Sequence, residues 1–173
     1  MGLGDKVFVV FGIANKRSVA YHIAQRLKDE GATVVCSVRS EARREAVGKL
    51  LPDCDIHVCD VEQDEEITAL ADVIRKKHPV VHGLVHCVAF ASYESFSGKF
   101  HEVSRKDFVQ CVSVSCYSLI AIANAFKEML DRRASVVTIS ISTTRMAVES
   151  YGYMAPAKAA LDSSLTFLAK SFS

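Results

Sequence analysis

A strand, a glycine-containing loop and a helix follow one another in residues 6–30, which read KVFVVFGIANKRSVAYHIAQRLKDE. Lys6–Gly12 is dense in Val and Phe and ends at glycine, a pattern typical of a strand that is buried on both faces. Ser18–Glu30 has helical periodicity, and its apolar face is formed by Val19, Ile23, Ala24 and Leu27. A strand that enters a helix through a short loop begins a βαβ unit, which builds parallel sheets.

The same alternation continues along the chain. Further strands are predicted at Ala32–Val38, Asp55–Cys59, Val81–Val88 and Ala134–Ser140. Further helices are predicted at Glu41–Leu51, Glu65–His78, Ser104–Leu130 and Met154–Phe172. Five repeats predict an α/β fold with a doubly wound parallel sheet of the Rossmann type and three αβα layers. Such sheets bind ligands at the carboxyl ends of their strands, near the switch point between the first and fourth strands.

Length and composition exclude several classes of protein. The chain has 173 residues, of which 50% are hydrophobic and 24% charged, so we expect one globular domain over residues 1–173. The formal net charge is only +1, which argues against a nucleic-acid partner. No apolar run reaches the length of a membrane helix, and the first residues do not form a signal peptide. We therefore expect a cytoplasmic protein with no membrane partner.

The six cysteines do not predict a metal site. Cys54, His57 and Cys59 resemble part of a zinc cluster, but no further pair supplies the fourth ligand that zinc prefers. Packing of these side chains in and around a strand is the alternative that we favour, with no metal bound. Disulfides are not expected in a cytoplasmic chain of this size.

The loop Gly12–Ser18 is a candidate phosphate-binding loop. A helix N-terminus presents free N–H groups and a positive dipole end to a pyrophosphate. The common G-x-G-x-x-G spacing is absent, so an ordinary strand–helix turn capped by Asn15 or Ser18 remains the alternative. Arg39 ends the second strand, where folds specific for NAD often carry an acidic residue. An arginine there favours the 2′-phosphate of NADPH, although a solvated basic edge would look the same.

A tyrosine and a lysine near the last helix suggest acid–base chemistry. The segment Ser150–Lys158 reads SYGYMAPAK. The familiar Tyr-x3-Lys spacing would require a tyrosine at Met154, and Tyr153 is one residue out of step. Tyr151 lies seven positions before Lys158, which leaves six residues between them.

That six-residue gap resembles the enoyl-acyl-carrier-protein reductases, a divergent branch of the short-chain dehydrogenase/reductase superfamily. Gly12–Ala24, GIANKRSVAYHIA, is similar to the G-x5-S-[IV]-A loop of that family. Other segments are similar to family motifs in the same order along the chain: Cys59–Val61 (CDV), Leu84–Ala91 (LVHCVAFA), Ser115–Ser118 (SCYS) and Tyr151–Leu161 (YGYMAPAKAAL).

The resemblance implies an oxidoreductase that reduces the 2,3 double bond of an enoyl thioester on acyl carrier protein, in fatty acid biosynthesis. NADH or NADPH would be the cofactor. The implied catalytic residues are Tyr151, which would hydrogen-bond the thioester oxygen, and Lys158, which would hold the nicotinamide ribose. The implied cofactor-binding residues are Gly12, Ala14, Ser18, Val19, Arg39, Asp60, Val61, Ala89 and Lys158. The implied substrate-binding residues are Phe90, Ala91, Ile141 and Met154.

Two departures from the family keep alternatives open. Ile141 stands ten residues before Tyr151, where the family has a second aromatic residue. The family also continues beyond the helix that contains Lys158, so we expect a chain truncated at the C-terminus whose sheet lacks its last strands. A carbonyl reductase of the same superfamily and a non-catalytic nucleotide-binding relative are the alternatives. Apolar residues on several faces of the helices at 104–130 and 154–172 suggest a homodimer or homotetramer, although they would also simply cover the sheet.

Overall fold

The computed structural model describes residues 2–94, 98–142, 146–148 and 151–173. Strands and helices alternate through most of them, as the sequence predicts. The strands are β1 Val7–Phe11, β2 Thr33–Val38, β3 Asp55–Val58, β4 Val81–His86 and β5 Leu130–Thr138. The helices are α1 Val19–Asp29, α2 Glu41–Gly48, α3 Asp64–Lys77, α4 Arg105–Val112, α5 Ser118–Phe126 and α6 Met154–Ser171.

The five strands form one parallel sheet in the order β3-β2-β1-β4-β5. β1 pairs with both β2 and β4. The switch point, on either side of which the strand order runs in opposite directions, therefore lies between β1 and β4. Gly83 in β4 allows this pairing, because an added Cβ would lie 2.5 Å from Cδ1 of Phe8. The parallel sheet flanked by helices confirms the predicted Rossmann-type α/β fold.

The chain divides into two compact units, of which the first comprises Met1–Cys87 and Ile122–Thr138. One face of its sheet packs against α1 and α2. Alternate strand residues supply the apolar contacts on this face, as period-two geometry requires. The buried members of this cluster are Val10, Ile13, Ala20, Tyr21, Ala24, Val34, Cys36, Val38, Val47, Leu51 and Val85.

The opposite face of the same sheet is also buried. Val9 and Val35 alternate with the residues of the first cluster and are fully inaccessible to solvent. Phe11 lies on this side and meets Phe126 of α5 edge to face, with ring centroids 6.1 Å apart. Burial on both faces explains why the strands are near-continuous apolar runs.

The second unit comprises Val88–Ala121 and Ile139–Ser173. Its core is small and brings α4 together with the start of α6. The buried residues are Cys111, Tyr153, Met154 and Ala157, with Ala91, Val103, Phe108 and Val112 packed around them.

The single helix predicted at Ser104–Leu130 is interrupted. The Ser104 hydroxyl accepts the Asp107 amide at 3.0 Å and caps α4, as predicted. Ser113–Tyr117 is then a π-helical turn, followed by α5 and a 3-10 turn at Lys127–Met129. The Ser118 hydroxyl donates to the Val114 carbonyl at 2.7 Å, and such side-chain bonds to a helix's own carbonyls compete with the regular ladder. Apolar periodicity does not report such side-chain bonds, so it did not predict the interruption of the helix.

One helical stretch of the described residues, Arg105–Met129, is long and apolar enough to cross a membrane by length and composition. Of its most apolar window, 44% is buried inside the fold.

β5 begins four residues before the predicted start at Ala134. Val81 pairs with Leu130, whereas Gly83 pairs with Ser135, so the register shifts within this pair of strands. β5 therefore has more residues than β4 between these two pairs. Within this part of β5, Asp131 Oδ1 accepts the Arg133 amide at 2.8 Å. The prediction missed this segment because charged residues do not fit the pattern of a buried strand.

Candidate functional site

The loop after β1 has the backbone geometry that close approach of a ligand requires. Gly12 has φ +92°, a left-handed conformation that favours glycine, and its amide donates to the Ser37 carbonyl at 3.3 Å. This bond fixes the loop to the end of β2. The sequence-predicted residues Gly12, Ala14 and Ser18 therefore follow directly from the carboxyl end of a central strand.

The side chains of this loop bond within the loop. Ser18 Oγ donates to the Asn15 carbonyl at 2.6 Å and accepts from the Ala14 amide at 3.4 Å. Asn15 Oδ1 accepts the Arg17 amide at 2.7 Å. Ser18 makes no side-chain cap to α1, and Val19 at the first helical position is 53% exposed. The Ser18 side chain thus does not cap the first turn of α1, which fits a phosphate at this helix N-terminus better than a self-capped turn does.

Three further predicted residues lie at the ends of neighbouring strands. Arg39 follows β2, and Asp60 and Val61 follow β3. Arg39 Nε lies 3.4 Å from Asp60 Oδ2, so the structure brings these two together. Asp60 is oriented further because its Oδ1 accepts the Glu62 amide at 3.1 Å.

Arg43 also reaches the first loop. Its Nη1 donates to the Ala14 carbonyl at 3.0 Å from the first turn of α2. This arginine is not among the site residues predicted from the sequence. Its position one turn after the end of β2 was the signal that could have placed it there. Arg39 and Arg43 therefore form a basic cluster at the carboxyl edge of the sheet.

Lys158 is a buried cation in the second unit. Only 3% of its surface is exposed. Its Nζ donates to the Val88 carbonyl at 3.1 Å and to the Ile139 carbonyl at 2.8 Å. Residues 88 and 139 begin the segments that come after β4 and β5 in the chain. One ammonium thus joins these two segments to α6, and its geometry is set by two charge-assisted hydrogen bonds.

The two tyrosines before α6 have different environments. Tyr151 is 37% exposed, whereas Tyr153 is fully buried. The Tyr153 hydroxyl donates to the Ser92 carbonyl, and burial raises the pKa of this phenol above its ordinary value. Tyr93 donates from its hydroxyl to the Tyr151 carbonyl at 3.1 Å, which fixes the backbone at Tyr151. Tyr151 is therefore the phenol that a substrate can reach. Ser150, in the same motif, lies outside the described residues.

Ser115 connects the π-helical turn to the segment after β4. It is fully buried, and its Oγ donates to the Phe90 carbonyl at 3.1 Å while accepting the Phe90 amide at 2.9 Å. Both polar backbone groups of Phe90 are satisfied by this one hydroxyl. The motif at 115–118 contains this serine, but the sequence pattern did not predict its bridging contact.

Replacing Ser115 by Ala should lower the free energy of unfolding by about 1–3 kcal/mol, because it leaves the Phe90 amide and carbonyl without this partner. Chemical denaturation measures the loss. Ser113→Ala is the matched control, because Ser113 lies on the same turn but is only half-buried. It should change the free energy of unfolding by only a few tenths of the loss expected for Ser115→Ala. Equal losses in the two variants would show that the bridge does not contribute.

The remaining predicted residues fall in the second unit. Ala89 is exposed, and Phe90 and Ile141 are half-buried. Ala91 packs on the small core, and Met154 is part of it with 9% of its surface exposed. The substrate-binding roles of Phe90, Ala91, Ile141 and Met154 stay predictions.

The described residues offer two sets of groups with distinct chemistry. In the first unit, a helix N-terminus without a side-chain cap, a left-handed glycine and two arginines are suited to a dinucleotide that carries phosphates. In the second unit, an accessible phenol and a buried ammonium are suited to stabilising an oxyanion and to holding hydroxyl groups.

Comparison with known proteins points to one family. The family model described as "Enoyl-(Acyl carrier protein) reductase" matches residues 12–173. The NADH-dependent enoyl-[acyl-carrier-protein] reductase FabI of Enterococcus faecalis is 36% identical over 170 residues, covering 98% of this chain and 68% of its own length. The NADPH-dependent FabI of Staphylococcus aureus is 34% identical over 174 residues, with the same two coverages.

Solved structures agree with this assignment. The Bacillus cereus enoyl-acyl carrier protein reductase, solved with NADP+ and an indole naphthyridinone, aligns with a TM-score of 0.94 at 33% identity. The alignment covers 99% of this chain and 69% of that one. The enoyl-[acyl-carrier-protein] reductase (NADH) of Aquifex aeolicus aligns with a TM-score of 0.93 at 31% identity, covering 98% and 69% respectively.

Proposed function

The chain belongs to the enoyl-(acyl carrier protein) reductase family, and we propose that it reduces the 2,3 double bond of an enoyl thioester on acyl carrier protein. The step belongs to fatty acid biosynthesis and uses a nicotinamide cofactor. Tyr151 supports the proposal most directly, because it is the accessible tyrosine at the family's spacing from the buried Lys158. Met154 stands where the Tyr-x3-Lys spacing of a carbonyl reductase would place a tyrosine.

In the proposed reaction Tyr151 stabilises the charge that develops on the thioester oxygen. A nicotinamide cofactor, when bound, would supply a hydride to the β-carbon of the enoyl group. Electron density would then move to the thioester oxygen, to which the Tyr151 hydroxyl donates a hydrogen bond, as an oxyanion donor does. Uptake of a proton at the α-carbon would complete the saturated product. The hydrogen bond from Tyr93 to the Tyr151 carbonyl holds the backbone that carries this phenol.

Lys158 is proposed to hold the hydroxyl groups of the nicotinamide ribose. The Val88 and Ile139 carbonyls already orient its ammonium. Of the residues in the first unit, Gly12, Ala14, Ser18 and Val19 are proposed to receive the pyrophosphate at the start of α1. Asp60 and Val61 are proposed to contact the adenine, and Ala89 of the second unit completes the set proposed for the cofactor.

NADPH is proposed as the preferred cofactor. Relatives at similar identity are named for NADH and for NADPH, so family membership leaves the choice open. Arg39 and Arg43, both near the carboxyl ends of β1 and β2, support NADPH because guanidinium groups pair well with a 2′-phosphate.

Arg39→Ala should raise the Kd for NADPH by about ten-fold, because a charge-assisted contact to the 2′-phosphate is lost. The Kd for NADH should change little. Titration of each cofactor measures both values. Arg44→Ala is the matched control, since Arg44 lies nearby on α2 and pairs with Glu41 at 2.8 Å. Equal weakening of NADH and NADPH by Arg39→Ala would contradict the proposed preference.

The position of the transferred hydrogen tests the proposed reaction. A reduced cofactor carrying deuterium on its hydride position, supplied with an enoyl thioester, should leave deuterium at the β-carbon of a saturated acyl product. Mass spectrometry and NMR of the released acyl chain locate the label. An acyl chain that keeps its double bond and carries no label would contradict the proposal.

Residues 1–173 are proposed to act as one dinucleotide-binding domain of a cytoplasmic protein. A homodimer or homotetramer is also proposed. It is supported by an exposed apolar face in the second unit, where Phe167 is 73% exposed and lines a surface groove of about 470 Å³ together with Ile120 and Leu168.

A further inference from the structure

The arginine proposed to bind the 2′-phosphate of NADPH is already paired with a carboxylate. Arg39 follows β2 and Asp60 follows β3, and these strands pair in register, with Val38 opposite Val58. The two side chains come together at the carboxyl ends of neighbouring strands, where Arg39 Nε lies 3.4 Å from Asp60 Oδ2. A bound 2′-phosphate would need the same guanidinium group.

The Asp60 carboxylate is held in place by its own loop and by α3. Its Oδ1 accepts the Glu62 amide at 3.1 Å. The Asp60 amide donates to Glu66 Oε2 in α3 at 2.7 Å. The amide of the preceding residue, Cys59, donates to the Val38 carbonyl at 2.8 Å and so joins this loop to β2. Asp60 therefore keeps its position whether or not Arg39 contacts it.

The contact between Arg39 and Asp60 is open to solvent. The side chain of Arg39 is 59% exposed, and that of Asp60 is 28% exposed. Exposed ion pairs are weak, so this one exchanges readily with other partners. A phosphate pairs with a guanidinium through two parallel N–H bonds. A cofactor phosphate can therefore draw Arg39 away, but only by breaking the contact with Asp60.

Arg43, the second arginine near this edge, has a different kind of partner. Its Nη1 donates to the neutral Ala14 carbonyl at 3.0 Å. Movement of Arg43 towards a phosphate separates no opposite charges at this contact. Of the two arginines, Arg39 is thus the one whose availability depends on an acidic residue.

The ion pair affects the two nicotinamide cofactors differently. NADPH carries a phosphate on its adenine ribose where NADH carries a neutral hydroxyl group. The hydroxyl gains little from a guanidinium, so Arg39 can stay with Asp60 when NADH is bound. Because specificity is a difference between two affinities, a contact that disfavours only NADPH changes the preference between the cofactors.

We propose that Asp60 is a specificity-determining residue that limits the preference for NADPH, a role that rests on the proposed nicotinamide cofactor. Its fixed carboxylate competes with the 2′-phosphate for the guanidinium of Arg39. NADPH therefore binds less tightly than Arg39 by itself would allow. NADH, which needs no arginine, is unaffected by this competition and stays usable.

Titration of the Asp60→Asn variant of the full-length gene product with each cofactor tests the proposal. The asparagine oxygen can still accept the Glu62 amide, so the loop should stay in place. The Kd for NADPH should fall about three- to five-fold, the range that an exposed ion pair supports. The Kd for NADH should stay within about two-fold. Titration with 2′,5′-ADP and with AMP should show the same difference.

Two further variants separate competition from a general effect of charge. Glu65→Gln removes one negative charge from the exposed first turn of α3, and should leave both Kd values within about two-fold. In an Arg39→Ala background, Asp60→Asn should no longer lower the Kd for NADPH, because no guanidinium remains to be released. Circular dichroism verifies the fold of each variant. Asp60→Ser also removes the charge and keeps a side-chain acceptor, so it replaces Asp60→Asn if that variant does not fold.

The possible results separate this proposal from the proposed function. An unchanged or higher Kd for NADPH in Asp60→Asn, while NADH still binds, would overturn the role of Asp60 alone. An equal gain for NADPH and NADH, or a gain that persists in the Arg39→Ala background, would also overturn it. Failure of the unsubstituted protein to bind either cofactor would overturn the proposed function as well. Because every readout is a Kd, the outcome does not depend on turnover.

Discussion

Replacing Tyr151 by Phe should lower kcat for enoyl thioester reduction by about 10²–10³-fold, the usual effect of removing one oxyanion donor. The ring would stay in place, so only the hydroxyl is lost. Because the proposed contact forms to charge that develops during the reaction, the Kd for NADPH should stay within about two-fold of its original value. Steady-state kinetics and cofactor titration on the full-length product of the gene measure the two quantities separately.

Tyr153→Phe is the matched control for this substitution. It removes the same hydroxyl two residues away, from a fully buried ring that donates to the Ser92 carbonyl. This variant should lose about 1 kcal/mol of stability and keep most of its kcat. If Tyr153→Phe abolished turnover and Tyr151→Phe did not, the assignment of the two tyrosines would be reversed. Equal losses of kcat and cofactor affinity in Tyr151→Phe would contradict the oxyanion role.

Replacing Lys158 by Met should weaken both cofactor binding and the fold. The Val88 and Ile139 carbonyls lose their ammonium donor, which costs about 1–3 kcal/mol. For a chain of this size the Tm should therefore fall by roughly 3–10 °C. Loss of the proposed bonds to the ribose should raise the Kd for NADPH by about ten-fold or more. Calorimetry and cofactor titration measure these effects.

Lys158→Gln separates the two roles of this lysine. An amide can still donate to a backbone carbonyl, so part of the lost stability should return. Cofactor affinity should return less, because the charge is gone. A Lys158→Met variant with unchanged cofactor affinity would show that this side chain only holds the segments at residues 88 and 139 together.

The sequence predicted the sheet well because its strands are buried on both faces. A run such as Val7–Phe11 has few alternatives once it is followed by a glycine and a helical pattern. The same reasoning failed at Ser113–Tyr117, where one serine hydroxyl bonds within the helix. It also failed at Leu130–Arg133, where charged residues belong to a strand through a shift of register. Both features depend on local geometry that hydrophobic pattern does not record.

The candidate site was predictable only where a motif carried it. Gly12, Tyr151 and Lys158 stand out by spacing, and the structure gives each a geometry compatible with its predicted role. The contacts that position such residues join distant parts of the chain, as Ser115 does with Phe90 and Arg43 with Ala14. Periodicity and spacing describe one segment at a time, so they do not predict these pairs.

This chain is proposed to carry the chemistry of an enoyl thioester reductase. The most direct measurement follows oxidation of NADPH or NADH by the full-length gene product with a short enoyl thioester and, separately, with the matching ketoacyl thioester. We predict oxidation with the enoyl thioester and none with the ketoacyl thioester. Oxidation with the ketoacyl thioester alone would identify a carbonyl reductase. Cofactor binding without oxidation of either substrate would identify a non-catalytic relative, and both results would contradict the claim.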